Sequence, residues 1–147
     1  MKELQFSIEI NAGKEKVWDT LWNDDTFRDW ANFIDEGTYM DGELVEGKDV
    51  RFISSVNGYG VTSRIAKLIP FHTVLFRHMV DTKERGTEVR EDEWTGGTES
   101  YLLSETGGDT ILTVKMDVPI EMEELFNERF PMALGRIKSL AETKEVE

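Results

Sequence analysis

The chain has 147 residues, no cysteine, and 17 basic against 30 acidic side chains, for a formal net charge of -13. Disulfides, thiolate metal centres and cysteine nucleophiles are excluded, and so acidic a surface repels phosphate backbones and anionic lipid headgroups. Eight Phe, four Trp and 39% hydrophobic residues supply material for one packed core, so the expectation is a single folded domain spanning residues 1–147.

The opening MKELQFSIEI carries neither a long apolar run nor a small-residue cleavage site. Nothing later in the chain approaches the ~20 apolar residues that span a bilayer. The reading is a cytoplasmic protein with no nucleic-acid and no membrane partner. Residues 4–10 alternate, with Leu4, Phe6, Ile8 and Ile10 on one face, which predicts a half-buried strand. After Asn11-Ala12-Gly13, the spacing of Val17, Trp18, Leu21 and Trp22 predicts a helix over 14–22. Asn23-Asp24-Asp25 punctuates it, and a short second helix carries Phe27 and Trp30.

From Ile34 onward the period is two. Strands are predicted over 38–45 (with a turn at Asp41-Gly42 as the alternative), 50–56, 61–69, 73–80, 94–104 and 110–118. Asn57-Gly58, Pro70-Phe71 and Gly107-Gly108 mark turns, and Gly96-Gly97 marks a bulge or bend. The segment 81–93 reads as a charged connection. Pro119 ends the sheet. A helix follows over about 121–144, with Pro131 inside it predicted to kink it. Hairpin-length connections make the sheet antiparallel, and the last helix is the long apolar element available to cover it. The fold class is therefore α+β, a curved sheet wrapped around a C-terminal helix with two short helices after the first strand. That geometry leaves a cavity between sheet and helix, unless the aromatic side chains fill it.

These residues resemble the START-like (SRPBCC) superfamily with its helix-grip fold, and within it the branch related to the activator of the heat-shock protein 90 ATPase. The likeness runs along nearly the whole chain: Ile8-x-Ile10-Asn11-Ala12 with Lys16-Val17-Trp18, Phe27-x-x-Trp30, Glu46-Gly47-Lys48 with Val50-x-Phe52, and Pro70-Phe71 with Phe76-Arg77-His78. Trp94, Glu99-x-Tyr101, Gly108-x-Thr110-x-Leu112-x-Val114 and Phe130-Pro131-x-Ala133-Leu134 with Ile137-Lys138 complete it. Gly13 stands where proline is more usual. Order and spacing carry the resemblance, since none of these motifs is specific alone. It implies an internal pocket for apolar molecules, with some members acting as enzymes and others binding protein partners. The likeness is to the C-terminal homology domain of the full-length eukaryotic activators without their separate N-terminal domain, which counts against a chaperone-associated role.

Pointing mid-strand Arg51, Arg64, Arg77 and Lys115 outward turns Phe52, Ser54, Ile65, Phe76, His78, Leu112 and Val114 inward, along with Val50, Ser63, Val74, Thr110 and Met116. Phe126, Phe130, Ala133 and Ile137 face them from the helix. Trp94 is placed near the mouth, and Met122, Phe126 and Met132 read either as an adaptable wall or as ordinary helix core. His78, between Phe76 and Val80, is the sharpest polar candidate. The resemblance implies that Glu99 and Tyr101 face the same interior, where with an inward His78 they would make a cluster able to orient a ligand carbonyl or hydroxyl, or to act as an acid–base pair; the competing reading is a satisfied buried hydrogen bond.

No G-x-S-x-G surrounds Ser54, Ser55 or Ser63, and Gly58-Tyr59-Gly60 lies on a hairpin rather than before a helix, so no catalytic residue is assigned. No cofactor is implied, and two histidines make no expected metal site. The acidic stretch 84–93 (ERGTEVREDE) reads as a solvated loop or a partner contact. The leading function is binding of an apolar small molecule. The alternatives are a chaperone-associated or other protein-interaction module and an enzyme using the pocket for acid–base chemistry.

Overall fold

The computed structural model describes residues 1–83 and 94–143. The acidic stretch 84–93 and the predicted helix end at Lys144 lie outside the described residues. The elements are β1 (Lys2–Ile10), α1 (Lys14–Trp22), α2 (Asp24–Ala31), β2 (Thr38–Asp41), β3 (Asp49–Ser54), β4 (Tyr59–Ile69), β5 (Thr73–Lys83), β6 (Thr98–Thr106), β7 (Asp109–Val118) and α3 (Glu123–Glu142). A short 3₁₀ turn, Ile120–Met122, leads into α3.

The seven strands form one antiparallel sheet in the order β1-β7-β6-β5-β4-β3-β2, curled strongly into a half-barrel. Register follows the apolar alternation: Leu4 opposes Met116, Phe6 opposes Val114 and Ile8 opposes Leu112, so both strands turn the same parity inward. Gly107 and Gly108, with φ of 62° and 88°, close the β6–β7 hairpin with the doubly left-handed turn that matches strand twist. The β4–β5 register shifts between Thr62 and Ser63 and again between Ile65 and Lys67. Such bulges bend a strand and deepen the curl. Gly60 pairs with Ile53 where β4 lies close against β3, since a Cβ there would stand 1.8 Å from the Phe52 carbonyl oxygen.

Helix α3 lies in the hollow of the sheet with Phe130, Ala133, Leu134, Ile137 and Ala141 buried. Phe6 stacks on Phe130 at 5.0 Å between centroids. Pro131 sits on the exposed face of a helix that continues past it, where water can satisfy the backbone carbonyl that proline leaves without a donor. Helices α1 and α2 close one end. Trp30 Nε1 donates to the Leu21 carbonyl at 3.2 Å, and Arg136 grips Asp29 with two bonds of 2.7 and 2.9 Å, tying α3 to α2.

The arrangement is the α+β helix-grip fold expected from the sequence, with local differences. The predicted strand over 94–104 begins at Thr98, because Gly96, at φ 87°, turns the chain. The turn stays fastened to the sheet through Gly96 N–H to the His78 carbonyl and His78 N–H to the Gly97 carbonyl. The strand over 38–45 stops at Asp41, before Gly42 at φ 125°. The strand over 50–56 stops at Ser54, whose hydroxyl accepts from the Val56 N–H and folds the next residues into a turn. β5 instead runs on to Lys83. Among the described residues no helix is long and apolar enough to cross a membrane.

Candidate functional site

Between the inner face of β3–β6 and helices α2 and α3 lies a partly open cavity of about 470 Å³. Six of the residues picked from the sequence line it: Phe52, His78, Trp94, Glu99, Tyr101 and Phe126. Met122 joins them, whereas Met132, expected in the same wall, is 48% exposed, because it follows Pro131 on the outer side of α3. Eight other picks lie outside the cavity lining. Ser54 is buried, but its hydroxyl donates to the Glu36 carbonyl at 2.6 Å and so serves the turn after β3. Ile65, Phe76, Leu112, Val114, Phe130, Ala133 and Ile137 belong to solid core. Trp22 reaches in from α1 to pack against Phe76 at 5.5 Å and Tyr101 at 4.9 Å, and Phe6 stacks on Phe130, so these parts of the interior are filled.

Sequence reasoning did not assign Phe27 and Trp30 of α2 to the cavity, nor Ile34, Tyr59, Leu125 and Arg129, all of which line it. Arg129 had a usable signal. It follows Phe126 by three positions and precedes Ala133 by four, so it shares their helix stripe despite its charge. Its Nη1 donates to the Ile34 carbonyl at 2.8 Å, which holds the guanidinium at the α2 end of the site.

The polar residues form two pairs rather than one cluster. On β4 and β5, Ser63 Oγ lies 2.7 Å from His78 Nδ1, with the donor set by the tautomer. On β6, Tyr101 bonds to the Glu99 carboxyl two residues before it. All three residues of the expected His–Glu–Tyr grouping line the cavity, while the direct hydrogen-bond partner of His78 is Ser63. Strand pairing explains this. His78 faces Ser63 across the β4–β5 ladder, whereas Phe76 faces Glu99 across β5–β6.

Burial lowers the His78 pKa to about 4, against the opposing pull of Asp81 and Asp117, so the ring is neutral at pH 7. Burial pushes Glu99 up to about 7, only partly offset by its bond to Tyr101. The Tyr101 hydroxyl is raised far above its ordinary range by burial and by the neighbouring carboxyl. Trp94 crosses the His78 ring at 5.9 Å and Phe126 at 5.5 Å, and its backbone N–H is held by Asp81 at 2.9 Å. The arrangement can receive an apolar body against aromatic walls, and it offers a neutral imidazole and a carboxyl that changes charge near neutrality.

No protein-family model matches the sequence, and no curated protein matches it significantly. Solved structures do match the fold. The Aha1 dimer from Colwellia psychrerythraea, a solution structure, is 22% identical, with 99% of this chain and 100% of that one covered at a TM-score of 0.72. A crystal structure from Mesorhizobium loti is 11% identical, covers 99% and 100%, and reaches a TM-score of 0.76. CalU16 from Micromonospora echinospora is 18% identical over 95% of this chain and 76% of its own, with a TM-score of 0.63. The chain therefore has the helix-grip fold of these structures, a curved antiparallel sheet around a long C-terminal helix. At these identities the likeness concerns fold and leaves function to be argued from the site.

Proposed function

We propose that the chain binds an apolar small molecule in the cavity between its sheet and α3. The observation that carries this reading is the cavity itself: about 470 Å³, walled by aromatic and aliphatic side chains, with a few convergent polar groups. A ligand burying roughly 250 Å² of apolar surface there gains about 6 kcal/mol before the cost of association is subtracted. In this reading Phe52, Trp94 and Phe126 hold the apolar body while Glu99, Tyr101 and His78 orient its polar end. The residues outside the cavity lining, Ile65, Phe76, Leu112 and Ile137 among them, act by keeping the walls rigid. The acidic, cysteine-free composition supports the cytoplasm as the place of work and one domain as the working unit.

Native mass spectrometry of protein purified from its own source tests the proposal, together with thermal shift against apolar compounds. A retained small molecule, or a melting temperature that climbs with ligand concentration, is the expected result. A protein that carries nothing and shifts with no compound class refutes it. The protein-interaction reading draws support from the Aha1 dimer that shares the fold. It predicts a concentration-dependent dimer, checked by analytical ultracentrifugation.

A further inference from the structure

The charge of the ligand can be argued from the walls. Glu99 enters the cavity from the middle of the sheet, and its side-chain partner is the hydroxyl of Tyr101 rather than any cation. A half-buried carboxyl with no positive partner among the described residues is poorly compensated in such a site. The same cavity is lined by aromatic rings at varied inclinations. Trp94 and Phe126 cross at 63°, and Trp30 and Tyr101 at 57°, with Phe52 completing the wall. Aromatic faces carry negative potential and attract a desolvated ammonium, the more so when several rings surround it. The opposing charge is Arg129, but it is tethered to the Ile34 carbonyl and makes no ion pair with Glu99. Asp35 lines the same region as Arg129, so among the described residues carboxyls outnumber cations in the lining. The net charge of -13 also concentrates cations near the mouth.

We propose that the ligand is a cationic amphiphile, an amine or quaternary ammonium with an apolar body, whose charge rests against Glu99 among the aromatic rings. This rests on the small-molecule reading above and narrows it to one ligand class. Burial that holds Glu99 near neutrality fits the role, because a bound ammonium restores the ionised carboxylate.

Three probes with one tail separate the outcomes by isothermal titration at pH 8: decyltrimethylammonium, decan-1-ol and decanoate. The cation is expected to bind about tenfold more tightly than the alcohol, with decanoate weakest. Glu99→Gln removes most of the cation's advantage and leaves decan-1-ol within about twofold. Equal binding of cation and alcohol, or a Glu99→Gln protein with an undiminished preference, overturns the proposal while the cavity reading stands. Preference for decanoate also overturns it and assigns the polar end to Arg129. If none of the three binds, this proposal falls, and the small-molecule reading is decided separately by native mass spectrometry and thermal shift. Should Glu99→Gln fold poorly, Arg129→Gln decides the matter: an equal or stronger cation preference supports the proposal, and a lost preference refutes it.

Discussion

Replacing Glu99 with Gln isolates one proton. In the folded chain burial raises this carboxyl from 4.5 to about 7, so the native state keeps a proton that the unfolded chain has released. The stabilising contribution is complete below about pH 4.5 and disappears as pH rises through 7. Integrated from pH 5 to pH 8.5, the loss is roughly 2–3 kcal/mol. For a chain of this length that corresponds to about 5–10 °C in melting temperature. His78 acts in the opposite sense. Its folded value near 4 lies below the ordinary 6.5, so its contribution grows as pH rises from 4 to 6.5. The two slopes offset each other in the wild type below pH 6.5 and hide both groups. Glutamine keeps an acceptor for the Tyr101 hydroxyl and does not titrate, so subtracting the variant's stability from that of wild type cancels every other group. Urea unfolding at intervals from pH 5 to pH 9 is the assay. Wild type should lose roughly 2–3 kcal/mol relative to Glu99→Gln across that range, mostly between pH 5 and 7.5. Parallel curves would show that Glu99 has an ordinary pKa and is not sequestered, which would remove the electrostatic basis of the site.

His78 should stay neutral until about pH 4 in an NMR titration of its ring, and protonation near 6.5 would place it in water instead. Ser63→Ala takes away the partner of Nδ1 and should cost about 1–3 kcal/mol in chemical denaturation, as expected for a buried group left unpaired. Gly60→Ala should fail to yield stable protein, because the new methyl meets backbone rather than a side chain that can swing away; a wild-type melting temperature would refute the close crossing of β3 and β4. Ile137→Ala should cost about 2–5 kcal/mol by emptying core volume, whereas Met132→Ala, on the outer face of the same helix, should stay within about 0.5 kcal/mol. Similar losses at both positions would contradict the assigned faces of α3.

Period, punctuation and charge are local properties, and they carried the fold a long way. The alternation of Leu4, Phe6, Ile8 and Ile10, the helical spacing of Val17, Trp18, Leu21 and Trp22, and the glycine pair at 107–108 each specify an element through its own covalent geometry. Outward-pointing Arg64, Arg77 and Lys115 set the inward parity of three strands, because a one-residue slip would bury a charge. What stayed illegible is how the interior volume is divided. Whether Phe76 or Phe52 meets the cavity depends on where Trp22 arrives from α1, and no spacing along β3 or β5 encodes the reach of a side chain on another element. The pairing of His78 with Ser63 rather than Glu99 was equally hidden, since it rests on a strand register shifted by a bulge between Thr62 and Ser63. The sequence by itself determined the inward parity of β4, β5 and β7. Only the tertiary structure decided which of those inward residues leave space between them, because packing is a relation among distant side chains and not a property of any one segment.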